Sequence, residues 1–106
     1  SVTDIDRAKR FYADAFEWSF TDYGPGYSGI RSADGTSEMG GLAVVDEVVS
    51  GGPLVLLRSD DVDASAASVA AAGGALDSEV YPYPGGRRFT FTDLDGNRLG
   101  VFQPSD

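Results

Sequence analysis

Residues 90–103 read TFTDLDGNRLGVFQ. Two runs of β-forming residues flank an acidic bend that carries a glycine, and the register between the runs decides which residues the sheet buries. The bend itself admits two readings, a calcium loop or a hairpin turn. A calcium loop of the EF-hand kind has acids at alternate positions, glycine sixth and a bidentate glutamate twelfth. Counted from Asp93, Gly96 stands fourth and Pro104 twelfth, so the stretch reads as a turn. A two-residue turn at Asp95-Gly96 pairs Thr92 with Leu99 and mixes polar with apolar residues on each face. A three-residue loop, Leu94-Asp95-Gly96, pairs Asp93 with Asn97 and puts Phe89, Phe91, Leu99 and Val101 on one face. Burial selects this register, because a slip of one residue moves the whole apolar set to the other side. It also places glycine last in the loop, where a left-handed conformation is needed. The opposite face then carries Arg88, Thr90, Arg98, Gly100 and Phe102, and either lines a cleft or meets solvent.

Outward from the hairpin, two stretches carry helical periodicity. In 4–16, Ile5, Ala8, Phe11, Tyr12, Ala15 and Phe16 recur at steps of three and four, one face of a helix. Asp4 or Asp6 caps it, with acids at the positive end of the helix dipole. In 61–74, Val62, Ala66, Val69 and Ala70 repeat the pattern, and Gly73-Gly74 ends it. The remaining segments, 18–23, 26–32, 39–45, 53–59, 78–83, 87–93 and 98–103, are short, rich in β-formers and separated by Gly, Pro, Asp and Ser. The order predicts an α+β fold with hairpins, not a doubly wound parallel sheet. It also repeats. Asp4-Ile5-Asp6 matches Asp61-Val62-Asp63, 57 residues on, and Ala33-Asp34-Gly35 matches Leu94-Asp95-Gly96, 61 residues on. An internal duplication is expected, with module one about 1–47 and module two about 52–106 of a single domain, 1–106. By the same offset, the counterpart of the strand before the second helix falls at about −3 to 1, so that strand of module one is expected to be missing.

Composition removes several chemistries. The chain has 106 residues, enough for one core without staples, and neither cysteine nor histidine. Thiolate sites, disulfides, a Ser-His-Asp triad, a His-based zinc site and a 2-His-1-carboxylate iron site are therefore excluded from these residues alone. With 17 acids against 8 bases the net charge is −9, which repels nucleic acid and anionic membranes. No apolar run approaches the ~18 residues of a membrane span. The polar opening SVTDID shows no leader, and the expected location is the cytoplasm.

Several pieces together resemble the vicinal-oxygen-chelate superfamily, the group of glyoxalases, bleomycin-resistance proteins and extradiol dioxygenases. They are VTDIDRAKRFYADAF, the Gly pair of a middle strand, DDVDA, AAGG and FTDLDGNRLGVFQ, in the right order over essentially the whole chain. The resemblance implies two tandem βαβββ modules, each curling a mixed sheet around a cleft, and a homodimer. Its enzymes hold a divalent metal with His, Gln or Glu from inner strands. Carried over residue by residue, one ligand position falls in the missing first strand, one at Leu54 and one at Gly100. The last falls near Met39 to Gly41, with Glu38 the only carboxylate close by. Neither a metal site nor a cofactor nor a catalytic residue is therefore expected.

What this leaves is a metal-free protein that binds or sequesters a small hydrophobic or aromatic ligand. The candidate ligand-binding residues are Phe102, Arg88, Thr90, Tyr27, Trp18 and Leu54. Trp18 reads first as packing, Tyr81 and Tyr83 as a rim or a dimer contact. Arg87 and Arg88 either meet an anionic ligand group or pair with acids, and pairing is the expectation. The alternatives are a divalent-metal-dependent lyase or dioxygenase of the same superfamily, and a dimerisation or interaction module without a ligand.

Overall fold

Each half of the chain hangs its sheet on a helix capped by aspartate. Helix α1, Ile5–Phe16, starts where the Asp4 carboxylate accepts the Arg7 amide at 3.0 Å. Helix α2, Val62–Ala71, starts in the same way, with Asp61 accepting the Ala64 amide at 3.1 Å. These contacts satisfy amide donors that a first helical turn leaves without partners. The end of α2 is set by Gly73, whose φ of +102° allows the Gly73 amide to reach the Ala70 carbonyl and the Gly74 amide the Val69 carbonyl. A glycine enters that backbone region without steric penalty.

The computed structural model describes residues 1–49, 51 and 53–105; the expected start and end of module two, residues 52 and 106, lie outside them. Strands β1 (Ser19–Asp22), β2 (Tyr27–Arg31) and β3 (Glu38–Ala43) form an antiparallel sheet in the order β1-β2-β3. Strands β4 (Val55–Arg58), β5 (Ala75–Leu76), β6 (Tyr81–Tyr83), β7 (Gly86–Thr92) and β8 (Arg98–Pro104) form a second sheet. Its order is β4-β8-β7-β5, with β6 also paired to β7. The β4–β8 pair is parallel and the others antiparallel, so this sheet is mixed. The α+β arrangement and its two open sheets are those the sequence predicts.

Two expectations need correction. The stub of the first strand is present: Val2 bridges Val44 in parallel, donating to the Ala43 carbonyl and accepting from Val45. Val2 precedes its helix cap by two residues, as Ser59 does, and the Ser59 amide reaches Phe102 in the second sheet. The parallel pairing thus runs one residue past β4, which the count from 54–58 overlooks. The strand expected over 78–83 is shortened to β6, and a further short strand, β5, forms ahead of it at Ala75–Leu76. Between them the Asp77 amide bonds to the Thr90 carbonyl, and the Ser78 hydroxyl takes the Thr90 amide. A side chain replaces the backbone in the ladder there, and a two-residue strand is too short to leave a pattern.

The β7–β8 hairpin has the register that burial demands, with Phe89 opposite Val101 and Phe91 opposite Leu99. Gly96 closes the loop at φ +87°, and Gly35 closes the β2–β3 turn at φ +76°. Phe89, Phe91 and Val101 have no solvent exposure and pack with Phe11, Tyr12, Ala15, Val62 and Val69. A second cluster joins Val2 and Ala8 to Ile30 and Leu42 of the first sheet. Each sheet therefore gives one face to the helices and leaves the other open.

Candidate functional site

Side chains alternate across a strand, so residues beside the buried ones form the open faces. On the first sheet this face is built over glycine. The Tyr27 ring lies against Gly41, and the Glu38 carboxylate and Tyr23 ring lie over Gly29, in the space that side chains there would fill. The Tyr23 hydroxyl donates to Glu38 at 2.8 Å, and the Tyr23 and Tyr27 ring centres are 6.1 Å apart.

On the second sheet the open face has two rows. Leu56, Gly100 and Thr90 are register partners across β4, β8 and β7. The Leu56 side chain lies over Gly100, and Thr90 beside it is nearly buried. In the next row, Arg58, Phe102, Arg88 and Tyr81 are partners across β4, β8, β7 and β6. The Arg88 guanidinium stacks 5.5 Å from the centre of the Tyr81 ring and 4.8 Å from that of Tyr83, and its Nε donates to the Tyr81 hydroxyl at 2.7 Å.

Between the two sheets, beside the helices, lies a cleft of about 770 Å³. Trp18, Tyr12, Met39, Leu54, Leu99 and Asp93 are among its walls. Tyr12 and Trp18 stack there, with ring centres 5.1 Å apart and planes 8° from parallel. Tyr12 donates its hydroxyl to Asp93 at 2.8 Å; burial and then the Asp93 charge push the phenol far above its ordinary pKa, so it stays a donor.

The six candidate residues fall in three places. Trp18 and Leu54 line the cleft. Tyr27 is on the open face of the first sheet, and Arg88, Thr90 and Phe102 are on that of the second. Only the last three adjoin one another. The expected pairing of the two arginines divides: Arg87 grips Asp63 through two bonds of 2.9 and 3.0 Å, whereas Arg88 has tyrosines for neighbours. Sequence reasoning missed Arg58, which joins the row of Phe102. The alternation of PLVLLRS places Arg58 opposite in face to Leu57, but nothing local gives its partner strand. It also missed Tyr23 and the role of Asp93.

The positions that resemblance assigns to metal ligands do not fit a divalent cation. Leu54 and Gly100 offer no donor, the space over Gly100 holds Leu56, and Glu38 is on the other sheet, engaged by Tyr23. Among the described residues no three His, Cys, Asp or Glu side chains gather where they could hold a cation. Also among them, no helix is long and apolar enough to cross a membrane.

Acid sensitivity follows from three carboxyls. Asp34 is lowered to about 2 by donation from the Ser32 hydroxyl and the Thr36 amide and hydroxyl. Asp22 is lowered by Lys9 and Ser28. At Asp95 burial opposes ionisation, but the Thr3 hydroxyl and amide, with Arg7, outweigh it and leave the group below its ordinary value. A carboxyl whose folded pKa is depressed contributes its full stabilisation above the unfolded value and loses it as pH falls through the folded one. The unfolded value is 3.8 and the lowest folded one about 2. The urea midpoint is therefore expected to fall most steeply between those two values; a midpoint flat across that window refutes the assignment.

An α+β domain with two open sheets and a cleft between them, whose carried-over ligand positions do not gather donors for a cation among the described residues, is the class these features define. The profile of the Glyoxalase/Bleomycin resistance protein/Dioxygenase superfamily matches residues 1–101, and the chain belongs to that superfamily. No curated protein matches the sequence. Among solved structures, TnmS3, an antibiotic binding protein from Streptomyces sp. CB03234, is 31% identical, with 98% of this chain and 89% of that one covered and a TM-score of 0.73. A glyoxalase/bleomycin resistance protein from the same strain is 30% identical, covering 96% and 93%, at a TM-score of 0.69. A glyoxalase/bleomycin resistance protein/dioxygenase family enzyme from Burkholderia phytofirmans PsJN shares the fold, with a TM-score of 0.81 at 18% identity over 98% and 93%.

Proposed function

We propose that this protein binds a small, largely aromatic organic molecule of the antibiotic type, without a metal and without transforming it. The observation that carries the reading is Leu56 seated over Gly100. Where superfamily enzymes place a ligating carboxylate, this chain has an apolar side chain over a bare backbone. The antibiotic-binding relative at 31% identity supports the same reading. Flat aromatic side chains give rigid contact area at small entropic cost; in this reading Phe102 supplies it beside Arg88 and Thr90 on the second sheet, while Trp18 and Leu54 wall the cleft and Tyr27 stands on the first sheet. In this reading the protein is a homodimer. Met39, Leu54, Val55 and Leu56 are each more than two-fifths exposed, and a second copy would cover them.

A thermal-shift panel tests the proposal, with divalent metals in one arm and planar organic compounds, neutral, cationic and anionic, in the other. A ligand at a hundred times its Kd adds about 2.7 kcal/mol, or about 10 °C for a domain of this size. Stabilisation by an organic compound and by no metal is the expected result. Stabilisation by a metal alone refutes it and returns the lyase or dioxygenase reading.

A further inference from the structure

We infer that the second sheet's open face is built for an anionic group on a planar ligand, held by Arg58 and Arg88 on either side of Phe102. The inference rests on the small-molecule reading above and adds the charge of the ligand and the residues that read it.

The chain is strongly acidic, with a net charge of −9, yet Arg58, Arg88 and Arg98, three of its 8 bases, share this face. Arg98 leans on Asp77 at 3.7 Å. Among the described residues, Arg58 and Arg88 form no ion pair, although 17 acids are available in the chain. The contrast with Arg87 is informative. One position along the same strand, facing the other way, it holds Asp63 by two hydrogen bonds.

Arg88 is fixed by means that leave its charge uncancelled. Two tyrosine rings stack on the guanidinium, and Tyr81 takes its Nε–H. Its terminal N–H groups have no partner among the described residues. A guanidinium oriented by aromatic faces keeps its fork of donors ready for a carboxylate, and the ordering cost is met before the ligand arrives. Arg58 stands two strands away, so the two backbones are about 10 Å apart, close enough for both side chains to reach one ring system. Phe102 lies between them as the apolar floor. Leu56, lying over Gly100 in the next row, extends that floor.

The shared chemistry is therefore a flat aromatic body carrying a carboxylate or another ionised acidic oxygen. The acidity of the rest of the surface repels such a molecule elsewhere, which confines it to this row.

Calorimetric titration of the 106-residue chain with anthraquinone-2-carboxylate and, separately, anthraquinone-2-carboxamide tests the inference. The acid is expected to bind at least tenfold more tightly than the amide. Arg88→Met and Arg58→Met should each reduce that preference severalfold, and the exposed helix variant Arg10→Met should leave it unchanged. A measurement on the unaltered chain guards against a variant that folds poorly: added salt should weaken the acid and leave the amide unaffected. Equal binding of acid and amide, a preference that survives both variants, or no binding of either compound overturns the inference. Binding of a neutral or cationic planar compound in that last case leaves the small-molecule reading standing; no binding of any planar compound removes both.

Discussion

Phe91→Ala is expected to lower the unfolding free energy by about 3–5 kcal/mol, the range for deleting a buried aromatic ring. Phe91 has no solvent exposure and is the ring on which the helix and sheet aromatics converge. Its centre lies 5.9 Å from Phe16 and 6.2 Å from both Phe11 and Phe89. Alanine removes that contact area and leaves a cavity between α1 and β7 that rigid neighbouring rings cannot close. A domain of this size has a total stability of about 5–15 kcal/mol, so the variant is close to unfolding at ambient temperature. Phe91→Leu keeps most of the volume and should cost under about 2 kcal/mol. Urea denaturation followed by tryptophan fluorescence measures both, since Trp18 packs against the same cluster. A loss below about 1.5 kcal/mol for the alanine variant would mean that the ring is not part of a well-packed core.

The second large effect is expected at Asp93. This buried carboxylate organises the turn and ties it to α1. Its Oδ1 accepts the amides of Asp95 and Asn97, each at 2.9 Å, while Oδ2 accepts the Tyr12 hydroxyl at 2.8 Å and the Asn97 side-chain amide at 3.1 Å. Asp93→Ala removes the acceptor from all four donors and leaves the Tyr12 hydroxyl buried without a partner. An orphaned buried polar group costs about 1–3 kcal/mol beyond the bond itself, and about 3 kcal/mol is the expected total. Asp93→Asn retains one acceptor oxygen for the two turn amides and should lose less. Tyr12→Phe in the Asp93→Ala background removes the orphan, so its additional cost should be small. A double-mutant cycle reads this directly. Strict additivity of the two substitutions would show that the hydroxyl and carboxylate are not coupled.

These two residues stand two apart on one hairpin, yet only one was legible in advance. Phe91 follows from alternation: the apolar set of TFTDLDGNRLGVFQ closes into one face in a single register. Asp93 was legible as a turn residue but not as the acceptor for Tyr12. That bond spans 81 residues, and Tyr12 in its own segment reads only as an apolar helix position. The same division runs through the candidate site. Alternation puts Arg88, Thr90 and Phe102 on one face from sequence alone, but Arg58 joins them through a parallel pairing between β4 and β8 that no local pattern encodes. The prediction that the arginine pair would find acids holds for Arg87 and not for Arg88. Adjacent strand residues point to opposite faces: Arg87 meets Asp63 on one, and Arg88 meets Tyr81 and Tyr83 on the other.

The sequence by itself determined the two helices, the α+β order of helices and strands, and the buried face of the final hairpin. Each of these rests on near neighbours: helical and strand periodicity, capping aspartates, and glycines where the backbone must turn left-handed. The tertiary structure decided what meets across the sheets: Leu56 over Gly100, Tyr27 against Gly41, Arg58 beside Phe102, and the carboxylate beneath Tyr12. Such contacts depend on which distant strands pair and in what register. That is set by burial of the whole core at once and not by any one segment's preference.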